Sequence, residues 1–428
     1  MALLLPLQPI GLGDSEVECF SSYFDRLAHL HGYTRTSLIQ SMMRAYEIDR
    51  HWESLTSPGQ VASRDLHRIN ASVKDIVHLT QRGTENYDLE RMTLLPVFCT
   101  RRHRGEPSLR NHRAWCERCF EEDTASGSVI YDRLLWNITF VLRCPFHKVL
   151  LRSHCPSCGE VQLGSRTELG PGFCNGCGSS LVGPYEELTP ELRPSFGEAQ
   201  SMELVSAVSA GAIGKVNGDS LSTFFRDLRG SQWAAPIPGH CGGRSGDSIS
   251  TLKHSTTLAA LVGTACKYDV SIVTLISDPE AAARQVARFD FGGVDLLGRS
   301  RLKVQSQRLQ SVRLALEHGL LVPDGFPVPT IAQLGALFGM KSLAFTSEFP
   351  DLTERYLSRT RAQTRRVLGL DEDITDVRLQ QLILGGHVHY LTNEEMVDIL
   401  MEDTGASRPH ALRLLKRAVG PPSSGSGS

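Results

Sequence analysis

Apolar side chains recur at helical spacing along most of this chain. Phe20, Phe24, Leu27 and Leu30 fall on one face of a first helix, and Gly32 stands where a left-handed residue would close it. Asp14 or Ser15 is the expected cap, with Glu16 and Glu18 in the first turn suited to the positive end of the helix dipole. A second helix from about Thr34 carries Leu38, Met42 and Tyr46, and a third, about Ser63 to Gln81, carries Leu66, Ile69, Val73, Ile76 and Val77. Three short amphipathic helices with tight turns fit a helix-turn-helix unit, and equally a small bundle that never touches DNA.

The periodicity lapses between residues 99 and 185, where four ligand pairs take its place: Cys116-x2-Cys119, Cys144-x2-His147, Cys155-x2-Cys158 and Cys174-x2-Cys177. Two thiolates two residues apart on a tight knuckle reach one tetrahedral Zn²⁺, and a second pair from elsewhere closes the shell. Eight ligands make two closed structural sites, with no open position for substrate or activated water. Sequential pairing joins the first two knuckles around one ion and the last two around the next; cross-brace pairing would join first to third and second to fourth. The last two knuckles have a complete zinc-ribbon spacing of their own, with Gly159 and Gly178 directly after the second Cys of each, which favours the sequential scheme. His147 belongs to the Cys-Pro-Phe-His knuckle. His103, His112 and His154 are expected on a solvated or phosphate-facing surface.

Past Tyr185 the helical pattern resumes more weakly. Met202, Val205 and Val208 suggest one helix, and Phe224, Phe225 and Leu228 another. The glycine-rich loop from Gly239 to Gly246, with Cys241 and Arg244, has no following Gly-Lys-Ser/Thr and so reads as a connector, not a nucleotide loop. Thr330 to Gly339 reads as a helix ending at a turn glycine, and Met340 to Phe349 as a short recognition helix offering Lys341, Ser342 and Thr346 to phosphates or base edges. Pro350 breaks that helix, and Asp351 begins another that bears Arg355, Arg359, Arg365 and Arg366. An amphipathic helix near Glu394 to Leu400 and a basic one from about Pro409 to Val419 follow; His387 and His389 read as part of a strand or turn.

Composition narrows the class. The chain has 428 residues, 41% hydrophobic and 21% charged, which is ordinary for a globular protein of two to four domains. A net charge of −2 argues against a uniformly basic coat, yet local excess exists. From Arg299 to Arg366 there are 11 Lys/Arg against 5 Asp/Glu, and from Thr100 to His154 there are 10 against 6, including Arg101, Arg102 and Arg104. These three arginines are candidate nucleic-acid contacts. Cys19, Cys99, Cys241 and Cys266 are scattered singly and suggest no disulfide framework. The apolar start lacks a basic region and has an early proline, so it makes a poor signal peptide, and no run reaches the length of a membrane span. The expectation is a cytoplasmic protein.

Several motifs occur together in one order. Residues 13 to 28 read Gly-Asp-Ser-Glu-Val-Glu-Cys-Phe-Ser-Ser-Tyr-Phe-Asp-Arg-Leu-Ala, with Arg26, Leu27, Ala28 and then Gly32; Leu89, Met92, Thr93 and Leu94 follow. Next come Trp115-Cys116-x2-Cys119 with Glu121, Glu122 and Asp123, then Leu135-Trp136, Cys144-Pro145-Phe146-His147, Leu150-Leu151 and Cys155-Pro156-Ser157-Cys158-Gly159. This series, over roughly residues 9 to 185, resembles the TniQ/TnsD family of bacterial transposition target-selection proteins. The resemblance supports sequential pairing and implies a non-catalytic bacterial adaptor. Its implied partners are target DNA, an AAA+ ATPase regulator that recruits the transposase and, in some systems, a CRISPR effector complex with guide RNA; a homodimer is compatible with it.

Catalytic readings fare poorly. No His-Glu-x-x-His occurs, no deaminase frame surrounds Pro145 and Cys155, and Asn111-His112 lacks the metal spacing of an HNH nuclease. The alternative is a zinc-containing helix-turn-helix transcription regulator. The expected fold is mainly α, with helix-turn-helix domains flanking a double zinc-finger/zinc-ribbon module. The expected divisions are residues 1–98 (amino-terminal helices), 99–185 (zinc module), 186–298 (helical linker region), 299–420 (carboxyl-terminal helices) and 421–428, a Gly/Ser tail of the kind that cloning appends.

Overall fold

The computed structural model describes residues 3–47, 71–98, 108–110, 112–162, 170–183, 197–213, 257–291, 299–323, 326–338, 342–367 and 392–404. Positions 66, 69, 216, 220, 221, 223, 224, 340, 379 and 415 are described besides. The fold is mainly α. Among the described residues no strand forms, and extended segments meet only in isolated antiparallel bridges.

Helix α1 spans Phe20–Leu30 and α2 spans Arg35–Ala45. Gly32 closes α1 as the sequence suggests: its φ is +67°, its N–H donates to the His29 carbonyl at 3.0 Å, and the Tyr33 N–H reaches back to Ala28 at 2.9 Å. This is a Schellman turn, which needs a left-handed residue at the glycine. Thr34 then caps α2 by accepting from the Ser37 N–H at 3.2 Å, and a buried Asp25–Arg35 ion pair ties the two helices together. Helix α3, Ala71–Thr84, packs on α2, with the Arg82 guanidinium 4.3 Å over the Tyr46 ring.

The start of α1 departs from the expectation. Asp14 and Ser15 do not cap it; the helix begins at Phe20, with Cys19 at its N-cap and no side-chain capping bond. Asp14 accepts from the Glu16 N–H instead, at 2.5 Å. Glu18 lies in extended backbone paired with Arg133, and its buried carboxylate takes the Arg26 guanidinium at 2.5 Å. A long-range bridge and a buried ion pair therefore override a local dipole preference that is worth under about 1 kcal/mol. Leu30, expected on the apolar face, is 49% exposed.

Helix α4, Glu117–Ala125, carries part of the first knuckle, and α5, Glu198–Ser209, follows the last one in the chain. Helices α6, Leu258–Tyr268, α7, Ile272–Ser277, and α8, Pro279–Phe291, stack beyond α5. One apolar core runs through all of this, from Phe24 and Leu27 past Trp115, Phe120 and Trp136 to Val205, Leu261 and Ile276. Phe120 anchors it, with the Trp115 ring stacked at 6.5 Å and the Trp136 ring edge-on at 5.8 Å.

Helices α9, Arg299–Leu321, α10, Ile331–Phe338, α11, Ser342–Glu348, and α12, Pro350–Val367, bring Val312, Leu316, Ile331, Leu334, Phe345 and Tyr356 into a second core. Helix α11 ends at Glu348, ahead of Pro350 as expected, but α12 starts at Pro350 itself and not at Asp351; at a first helical position the missing N–H has no partner to lose. Between α10 and α11 the Met340 N–H returns to the Gly335 carbonyl at 2.9 Å. A Cβ on Gly335 would stand 2.6 Å from the Met340 oxygen, so this turn requires glycine. Residues 1–357 form one compact unit and 358–428 another. Within the latter lies α13, Asn393–Thr404, opened by a reciprocal box. The Thr392 hydroxyl accepts from the Glu395 N–H at 3.3 Å, and the Glu395 carboxylate accepts from the Thr392 N–H at 2.7 Å. Arg101, Arg102, His103, Arg104, the Gly239–Gly246 loop, Lys341, His387, His389 and nearly all of the 409–419 stretch lie outside the described residues.

Candidate functional site

Three of the four knuckles share one backbone shape. In each, the first cysteine donates its N–H five residues ahead: Cys144 to Val149 at 2.8 Å, Cys155 to Glu160 at 2.8 Å, and Cys174 to Ser179 at 2.9 Å. The same cysteine's carbonyl accepts from the residue four ahead, and that residue is left-handed each time: Lys148 at φ 60°, Gly159 at 74° and Gly178 at 72°. Glycine fits there without strain; Lys148 carries a Cβ penalty, and its Nζ folds back onto the Pro145 carbonyl of the same knuckle. The first knuckle is different. Cys116 is the N-cap of α4 and Cys119 sits in its first turn, so the helix supplies the rigidity.

The ligand atoms group sequentially. Those of Cys116, Cys119, Cys144 and His147 all lie within 4.8 Å of one another, and so do those of Cys155, Cys158, Cys174 and Cys177. Four ligands about 2.3 Å from a tetrahedral ion stand about 3.8 Å apart. In the first cluster Cys119 Sγ is 3.7 Å from Cys144 Sγ, and His147 Nδ1 is 3.5, 3.3 and 3.7 Å from the sulfurs of Cys116, Cys119 and Cys144. In the second, Cys155 and Cys177 are 3.8 Å apart and Cys158 and Cys174 are 3.6 Å apart. Both donor sets fit a metal ion.

The surroundings of the two clusters differ. The three cysteines of the first are buried, and His147 is oriented by Glu122, whose Oε1 lies 2.9 Å from Nε2. A carboxylate on the far nitrogen of a ligating imidazole fixes its tautomer and aims Nδ1 at the ion. In the second cluster Cys155 and Cys174 are buried, whereas Cys158 and Cys177 are exposed.

Residues 9–151 match the TniQ family model. The chain carries a TniQ domain. No curated protein matches the chain. The TniQ domain takes in α1 to α4 and the whole first cluster, and the second cluster follows just beyond it. Positions that carried the resemblance have structural work inside the TniQ domain: Arg26 holds Glu18, Leu27 and Met92 are fully buried, and Thr93 accepts from the Leu95 N–H at 3.1 Å.

Several of the basic residues between 100 and 154 are taken up by internal partners. Arg113 pairs with Asp132 at 2.5 Å, Arg133 with Asp123 at 3.1 Å, Arg143 with Glu198 at 2.8 Å and Arg152 with Glu117 at 2.7 Å. Arg110 is buried on the carbonyls of Trp136 and Val141, and burial pushes its guanidinium down to about 9. His112 and His154 are also buried, contrary to the surface expectation. Burial, with Arg110 and His154 adding to it, pushes the His112 imidazole down to about 3. Burial likewise raises the Glu18 carboxyl above the usual range, against the opposing pull of Arg26 and Ser22.

The other expected contact residues fall on α11 and α12. Ser342, Thr346 and Arg355 are exposed, and Arg359 is half-buried; Arg365 and Arg366 are on α12. The sequence reading missed Arg133, which no local signal marks, although the structure makes it a hub. Its guanidinium stacks 4.3 Å from the Tyr131 ring and 4.9 Å from the Trp136 ring, reaches Asp123 and Glu16, and its backbone bridges Glu18.

Proposed function

We propose that this chain is a non-catalytic target-selection adaptor of DNA transposition, with structural Zn²⁺ in both clusters. The observation that carries the reading is the TniQ match over residues 9–151, with the first four-ligand cluster complete within it. Thiolate-rich tetrahedral sets select zinc over harder ions, and each ion supplies about 10–16 kcal/mol of apparent folding energy. Both sites are closed by protein ligands, so the ions hold surfaces in place and activate no water.

In this reading the amino-terminal helices engage a partner protein or a second copy, and the chain links a target to an AAA+ ATPase regulator and its transposase. The target is DNA itself or a CRISPR effector complex on DNA. Ser342 and Thr346 on α11 are supported as contacts by their exposure, and Lys341 by its charge beside them. Glu348, Asp351 and Glu354 are exposed where α11 passes into α12. Phosphate contact is therefore assigned to the later turns of α12, at Arg355, Arg359, Arg365 and Arg366, and to Arg101, Arg102 and Arg104.

The test is binding of the purified protein to long duplex DNA across a salt series, with and without the ATPase. Tight, salt-sensitive binding to one sequence identifies a direct site reader. Weak binding alone with co-assembly on the ATPase identifies an adaptor addressed by another complex. Absence of ATPase association under every condition rejects the adaptor reading and leaves a zinc-containing transcription regulator.

A further inference from the structure

We propose that Gln162 is the positioning residue of the second metal site, the one made by Cys155, Cys158, Cys174 and Cys177. Gln162 is fully buried, and both ends of its amide face the knuckle that carries Cys174. Nε2 donates to Cys174 Sγ at 3.3 Å and to the Glu160 carbonyl at 3.0 Å, while Oε1 accepts from the Asn175 N–H at 2.9 Å. The amide orientation is determined by these partners. A flipped amide would set its oxygen against a thiolate and a carbonyl, and its N–H groups against another N–H.

The backbone of Gln162 is used as well. Its N–H donates to the Ser153 carbonyl at 3.0 Å, and its carbonyl accepts from the Arg113 N–H at 2.7 Å. One residue thus joins the third knuckle, which ends at Glu160, to the fourth, which begins at Cys174, and seats both on the segment that enters the first site. The flanks of the fourth knuckle have other anchors, since Arg113 reaches the Pro171 carbonyl and Trp115 Nε1 reaches the Leu181 carbonyl at 3.2 Å. Between those flanks the ligating turn itself rests on Gln162.

The chemistry of the donor set explains why this site uses such a donor. Four thiolates on a divalent ion carry two net negative charges, one more than three thiolates and an imidazole. Two ligands are open to water, and the buried pair needs donors from the protein. The Ser157 N–H serves Cys155 at 3.4 Å, the Gly176 N–H serves Cys174 at 3.3 Å, and the Gln162 amide adds a side-chain donor to Cys174. The first site is oriented through a histidine and its carboxylate; the second is oriented through a thiolate and its amide. Residues of this kind change metal affinity without ligating.

This inference rests on the metal reading of the two clusters, and its test separates the two. The full chain is loaded with Co²⁺ and titrated against a chelator, with the thiolate-to-cobalt charge-transfer band followed for each site. Cys116→Ser serves to assign the bands. Gln162→Glu places a carboxylate against the thiolate, and Gln162→Met removes all three side-chain hydrogen bonds at similar volume. The expected result is metal affinity about 10- to 100-fold weaker at the second site in both variants, with a shifted second-site band and an unchanged first site. The retained first-site band shows that the variant protein is folded. Two equivalents bound with affinity within about twofold of wild type and an unshifted band would overturn the inference and leave the metal reading intact. Fewer than two equivalents in the wild-type protein would overturn both.

Discussion

The imidazole of His147 meets the carboxylate of Glu122 at 2.9 Å through Nε2, and in doing so presents Nδ1 to the sulfurs of Cys116, Cys119 and Cys144. Glu122 lies one helical turn beyond Cys119 on α4, so the helix that supplies a ligand also aims the ligand facing it. Glu122→Gln is expected to weaken metal binding at the first site by about tenfold, the lower end for such a partner because the carboxylate is 61% exposed. Competition against a chromophoric chelator measures this, and an unchanged affinity would remove Glu122 from the site.

The shared left-handed position of three knuckles makes opposite predictions for two of them. A Cβ added at Gly159 would meet nothing within 4 Å, so Gly159→Ala tests backbone strain alone and should cost about 1 kcal/mol. Lys148→Gly relieves the same strain while adding unfolded-state freedom, and should be neutral or stabilising by about 0.5 kcal/mol. Urea unfolding of the metal-loaded proteins gives both values.

Arg113 and Asp132 form a buried pair in which both side chains are under a tenth exposed. Removing one partner leaves a buried charge, so Asp132→Ala should destabilise by about 3–5 kcal/mol. Arg113→Met combined with Asp132→Leu should cost much less than the sum of the single changes, because no lone charge remains. A double-mutant cycle of unfolding free energies decides this, and strict additivity would rule out the coupling.

His112 makes stability pH-dependent. Its folded value of about 3 lies below the ordinary 6.5, with burial the main cause and Arg110 and His154 contributing. The unfolded chain therefore takes up this proton first. The contribution is fully present above pH 6.5 and is lost as pH falls from there towards the folded value, at about 1.4 kcal/mol per pH unit. His112→Gln should flatten the slope by roughly that amount from about one pH unit below 6.5 downwards, read as the difference between variant and wild type in parallel melts.

Phosphate contact by α12 predicts that Arg359→Ala combined with Arg365→Ala weakens DNA binding and lowers the slope of log affinity against log salt by about one to two. An unchanged slope would take this helix out of the interface.

Much of this arrangement is legible in the sequence because its signals are local. A Cys-x2-Cys spacing already constrains where two sulfurs point, and Gly32 closes α1 with bonds that span only a few residues. What stayed hidden is long-range. Glu18 looks like a helix-dipole residue until Arg133 is beside it, and Asp14 looks like a cap until the helix is seen to start at Phe20. Arg113, Arg133, Arg143 and Arg152 read as part of a basic surface until Asp132, Asp123, Glu198 and Glu117 take them up from other segments. Gln162 carries no motif at all; its role exists only once two knuckles close on it.

The bridge between Glu18 and Arg133 has a further consequence. Cys19 N–H donates to Asp132 at 2.8 Å and Leu134 N–H donates to Val17 at 2.8 Å on either side of it, so the strip leading into α1 is laid directly along the backbone that follows α4. Helix α4 carries Cys119 of the first cluster and also Asp123, which pairs with Arg133, so the cluster, the helix and that strip are joined through one ion pair. The amino-terminal helices α1 to α3 are thus moored to a cluster to which they give no ligand.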